Sequence, residues 1–249
     1  MKYAGFHFAD AGIRGVPGHT RIRSPGRGHE RGHPVTPDEI RRRWLACNYT
    51  GWALAVFSGV VVATACGSPG AHLNPAVSVA VAIRTGHWQE FATFITAQMA
   101  GGFCGAILVY LFYKPHFDAT EDGELKRAVF CTSPAIRSPL SNLFNEALAT
   151  AVLLLIIGAI GAKQFAPAGP APGLAPYLVA MTVWGIGLGL GGTTGYALNP
   201  ARDLAPRLAH ALLPIHGKAA SDWRYAPIPV LGPLLGAVVA GFFLRFAQI

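Results

Sequence analysis

The chain predicts an all-helical integral membrane protein, an inverted repeat built around two broken helices. Three observations carry that prediction. The tripeptide Asn-Pro-Ala occurs twice, at Asn74-Pro75-Ala76 and Asn199-Pro200-Ala201. Each copy follows a long apolar segment and opens a stretch suited to a half-helix, the pattern of broken helices that meet at a membrane midplane. Composition agrees: 52% of the residues are hydrophobic and 13% charged, against about 25% charge in a soluble domain.

In chain order, residues 1–43 hold nine of the 20 Lys and Arg residues, are rich in Gly, Pro and His, and contain no apolar run. They predict a disordered basic tail, set apart from a channel domain over 44–249. Such an arm can attract anionic lipid or nucleic acid; the plainer reading, a solvated tail with no nucleic-acid partner, is taken. No apolar core follows the charges, so the tail is not a secretory signal. Apolar segments then run over roughly 44–66, 88–113, 141–162, 174–196 and 226–247. Each is about 20 residues long, enough to cross a bilayer as a helix. The half-helices are expected over 76–86 and 201–212. The 30 glycines suit close helix packing in lipid.

The half-helix junctions have a specific chemistry. A helix N-terminus leaves N–H groups unpaired and carries roughly half a positive charge. Proline suits the first helical position, and the preceding asparagine caps through its side-chain oxygen. Its amide NH₂ is then free to face a lumen. Two such caps meeting tip to tip put two amide donors and two positive dipole ends at one waist, with exposed carbonyls on the approach. That arrangement suits small neutral hydroxylic molecules and opposes cations.

These stretches resemble the aquaporin (major intrinsic protein) family, and within it the glycerol-conducting aquaglyceroporin branch. The matching residues are Gly70-Ala71-His72-Leu73-Asn74-Pro75-Ala76-Val77, Ala97-Gln98 with Gly101 and Gly102, and Asn145-Glu146-Ala147. The run Thr194-Gly195-Tyr196-Ala197-Leu198-Asn199-Pro200-Ala201-Arg202-Asp203 and Gly232-Pro233-Leu234-Leu235-Gly236 complete the set. Asp203, directly after the second motif, is similar to the glycerol branch. The resemblance implies that Asn74 and Asn199, with Pro75, Ala76, Pro200 and Ala201, form the pore centre. It implies a selectivity filter of Arg202, Tyr196, Gly187 and one residue of the first span. That fourth position falls on Leu54 without gaps, or on Trp52 if two residues are inserted near Cys66-Gly67-Ser68-Pro69; Trp52 is preferred, since the branch favours tryptophan there. Glu146 resembles a buried acid that holds the second half-helix loop, His72 a lining residue that offers its carbonyl, and Asp203 a group acting at its own helix terminus.

The remaining residues have plainer readings. Gln98 reads as a helix contact, Lys126-Arg127 as a solvated loop, and Cys66 and Cys104 as inert packing residues. No phosphate loop, metal-spaced cluster or nucleophile–base pair is visible, so neither enzyme chemistry, metal nor cofactor is expected. The expectation is a passive channel for glycerol, small neutral polyols and water that excludes ions and protons. It would be a homotetramer in the lipid bilayer of the plasma membrane. The alternative is a non-conducting homologue with an assembly or regulatory role. What favours the alternative is the count of five full spans where the resemblance implies six. The missing opening span would also supply a partner acid to Glu146. Charge bias puts the tail side of a five-span chain in the cytoplasm, the reverse of the orientation usual in the family. The expectation is therefore a native protein of six spans, with the first 40 or so residues a wrong start or a misjoined segment.

Overall fold

The computed structural model describes the backbone of residues 37–249 and the side chains from residue 46 onward. The basic tail therefore lies outside the described residues as far as residue 36. Residues 37–43, expected to belong to it, are helical: α1 runs Pro37–Ala65. An apolar run marks only the part of a helix suited to lipid, here Ala46–Ala65. The helix is already formed at residue 37, well before that part begins.

The other elements are α2 (Pro75–Thr85), α3 (Phe91–Phe112), α4 (Lys114–Ala119), α5 (Gly123–Ala128), α6 (Pro139–Ile160), α7 (Leu174–Leu190), α8 (Pro200–Leu212) and α9 (Pro227–Phe246). Among the described residues α1, α3, α6 and α9 are long and apolar enough to cross a membrane. The fifth expected span, α7, has 17 residues and so spans roughly 25 Å, near the lower limit for a crossing. It ends at Leu190, short of the expected residue 196, because Gly191-Gly192 gives way to the loop that carries Tyr196. The linker after α3 holds the two short helices α4 and α5. Lys126 on α5 is not solvated as expected: it is buried, and its Nζ donates to the His216 carbonyl at 2.6 Å.

Packing follows the internal repeat. α1 pairs with α7 and α6 with α9, while each half-helix crosses into the other half: α2 packs on α9, and α8 on α3. Small residues permit these approaches. A Cβ on Gly236 would lie 2.2 Å from the Ala147 carbonyl oxygen of α6, and one on Gly102 3.3 Å from the Ala201 carbonyl oxygen of α8. Large apolar side chains such as Phe112, Leu140, Phe144 and Phe242 cover the outside, as a lipid-facing surface requires. Cys66 and Cys104, expected to pack inside, are also exposed. An apolar segment does not reveal which of its faces meets lipid.

Candidate functional site

Both half-helices start at the motif prolines, Pro75 and Pro200, and each preceding asparagine caps from extended backbone. Asn74 Oδ1 accepts from the Ala76 N–H at 2.8 Å. Asn199 Oδ1 accepts from the N–H groups of Ala201 and Arg202 at 3.0 and 3.2 Å. Ala76 and Ala201 are fully buried behind the caps. The amides are not wholly free, as the sequence reading had them. Asn74 Nδ2 donates to the Leu198 carbonyl at 2.8 Å and Asn199 Nδ2 to the Leu73 carbonyl at 2.9 Å. Each half-helix is thus tied to the residue that precedes the other's cap. An amide NH₂ has two hydrogens, so one donor per asparagine remains for the cavity that both line.

That cavity measures about 150 Å³. It is lined by apolar side chains, among them Val56, Val60, Leu153 and Val183, and by the two loops at His72–Asn74 and Tyr196–Asn199. Trp52 and Arg202 also line it. The Arg202 guanidinium lies over the Trp52 ring, 4.0 Å from its centroid, so a cation and an aromatic face are fixed against each other. Trp52 is 4% exposed, whereas Leu54 is 57% exposed on the outer surface. Gly187 stands behind this wall. A Cβ there would lie 3.1 Å from both Tyr196 Cζ and Tyr49 Cδ1, so the space before its Cα is filled by rings.

The loops are strained and strongly held. Ala71, Tyr196 and Leu198 have positive φ, at 46°, 36° and 54°, costly for residues with a side chain. Glu146, 1% exposed, meets the second loop with both oxygens: Oε1 accepts from the Ala197 N–H and Oε2 from the Leu198 N–H, each at 2.9 Å. On the first loop a comparable task falls to Gln98, which is more than the helix contact expected. Its Nε2 donates to the His72 carbonyl at 2.9 Å and to Ser78 Oγ at 3.1 Å. The His72 ring stacks on Phe94, 4.6 Å between centroids.

Asp203 sits in the first turn of α8, where an acid suits the dipole, but it does more than that. Its carboxylate accepts from the Thr132 N–H and Oγ1 at 2.8 and 2.5 Å, and from Arg207 Nε and Nη2 at 2.7 and 2.9 Å. Arg207 also donates to the carbonyls of Ser221, Asp222 and Thr132. Asp203 and Arg207 are both fully buried. Together they bolt α8, next to Arg202, to the loops before α6 and α9. Sequence reasoning missed Arg207, Thr132, Ser78 and Tyr49. An Asp and an Arg four residues apart was the one available signal.

An inverted helical repeat with two asparagine-capped half-helices meeting at a narrow lined cavity defines a transmembrane channel. The chain belongs to the major intrinsic protein family, whose sequence pattern matches residues 38–244. It is 49% identical over 197 residues to a probable glycerol uptake facilitator protein of Thermotoga maritima, covering 79% of this chain and 81% of that protein. It is 47% identical over 204 residues to the glycerol uptake facilitator protein of Bacillus subtilis, covering 80% and 73% respectively. Among solved structures it resembles the aquaglyceroporin from Plasmodium falciparum, with a TM-score of 0.77 and 26% identity over 98% of this chain and 93% of that one. The protein is therefore an integral membrane channel of aquaglyceroporin type.

Proposed function

We propose that the chain conducts glycerol, small neutral polyols and water passively across the plasma membrane, and excludes ions and protons. The observation that carries this reading is the two-faced constriction. The Trp52 ring offers an apolar surface and Arg202, 4.0 Å from it, a fork of donors. A polyol has the matching form, with a carbon edge for the indole and hydroxyls for the guanidinium. Tyr196 completes the wall, and Gly187 admits the aromatic packing behind it. At the waist, Asn74 and Asn199 each present a remaining N–H to a passing hydroxyl. Two helix N-termini and Arg202 make this path positive, which repels cations, hydronium included. Glu146, Gln98 and Asp203 keep the loops in shape, and His72 supplies wall surface of the cavity. Two relatives named for glycerol uptake support the same solute class. A homotetramer with one channel per protomer is part of the proposal.

The test is osmotic swelling of proteoliposomes that hold the purified chain. Glycerol entry well above that of empty vesicles is expected, with no proton leak under an imposed pH gradient. Glycerol entry equal to the empty control, with the protein shown to be inserted, would overturn the reading.

A further inference from the structure

Tyr49 lies one helical turn before Trp52 on α1, so the two rings share a face. Both are buried, at 7% and 4% exposure. Trp52 meets the Arg202 guanidinium, while Tyr49 meets the Tyr196 ring edge-on, with centroids 5.2 Å apart and planes at 72°. Two glycines of the α7 end close over the same pair. A Cβ on Gly187 would lie 3.1 Å from each ring, and one on Gly191 would lie 2.9 Å from Tyr196 Cδ1 and 3.2 Å from Tyr49 Cε1. The Tyr196 ring is thus wedged between Tyr49 and bare α7 backbone. Its own backbone is left-handed, φ 36°, a conformation an aromatic residue keeps only where its surroundings hold it. Tyr196 lines the cavity and Tyr49 does not.

We infer that Tyr49 is a positioning residue for solute size: it props the Tyr196 ring against the channel and so sets the width of the constriction. The inference rests on the channel reading above. Without the prop, the Tyr196 ring gains room towards α1, and the cavity gains width on the side where a longer carbon chain must pass. Phenylalanine keeps the prop, because the contact is made by the ring. Leucine removes the flat edge while it still fills much of the space.

The experiment compares vesicles that hold the unmodified chain, Tyr49→Phe, Tyr49→Leu and Tyr49→Ala in gradients of glycerol and of xylitol. The xylitol-to-glycerol rate ratio should rise roughly tenfold in the Leu and Ala variants, the scale on which a methylene-sized change of a pocket discriminates. It should stay at the unmodified value in Tyr49→Phe. Tyr49→Leu carries the test if Tyr49→Ala fails to insert. A merely structural role for Tyr49 lowers both rates together, so an unchanged ratio in Tyr49→Leu overturns the inference and leaves the channel reading standing. An equal rise in Tyr49→Phe also overturns it. No glycerol entry through the unmodified chain overturns the channel reading and the inference together.

Discussion

Arg207 has acceptors inside the protein for all of its N–H groups: one on Asp203 from Nε, two backbone carbonyls from Nη1, and Thr132 and Asp203 from Nη2. A fully buried charge is tolerated only when paired this completely. The same residue then becomes a weak point. Arg207→Met should destabilise the protein by about 3–5 kcal/mol, because it leaves the Asp203 carboxylate buried without its counter-charge. Arg207→Lys should recover only part, since one ammonium cannot reach acceptors spread over a planar fork. Asp203→Asn combined with Arg207→Met should be more stable than Arg207→Met alone. Thermal unfolding of detergent-solubilised protein would rank the variants, and equal midpoints for Arg207→Met and the unmodified chain would count against the clamp. Sequence alone did not reveal how deeply this group is buried: Lys126 was expected in a solvated loop and Arg207 fell within the expected half-helix over 201–212, since a sequence states charge and leaves burial to the fold.

The α6–α9 pair depends on bare backbone at Gly236, where an added Cβ would lie 2.2 Å from Ala147 O and 3.0 Å from Ala151 N. Gly185 on α7 has nothing within 4 Å of an added Cβ. Gly236→Val should therefore force the helices apart, at a cost of about 1–3 kcal/mol or more. Gly185→Ala should leave stability unchanged or slightly raised. The yield of folded protein from membranes would separate the two, and similar yields would contradict the packing described. Helix starts were legible to within a few residues wherever the sequence announces them. Asn-Pro fixes the first residues of α2 and α8 because the cap and the ring act locally. The C-terminal end of α7 and the existence of α4 and α5 were not legible. A six-residue helix shows no apolar period, and what ends α7 is a glycine pair followed by a loop whose shape Glu146 holds from another helix.

At the scale of the whole molecule, the two halves meet through a reciprocal bond: Asn74 to the Leu198 carbonyl and Asn199 to the Leu73 carbonyl. Asn74→Asp and Asn199→Asp should each cut glycerol flux by roughly tenfold, since a buried group left unpaired costs about 1–3 kcal/mol. Either change opposes a carboxylate to a carbonyl at the same junction, so the double variant should lose little more than one of them. Swelling rates would show this, and losses that multiply would mean that the two sites act separately. The reciprocity also imposes a schedule. The acceptor for Asn74 lies 124 residues further along the chain. At a synthesis rate of about 5–20 residues per second, that acceptor leaves the ribosome on the order of 6–25 s after the asparagine does. Throughout that interval the first re-entrant helix lacks the partner of its tip. The junction can form only once Leu198, roughly four-fifths of the way along the 249 residues, has arrived, so a nascent chain that stalls earlier carries half of it and no conduit.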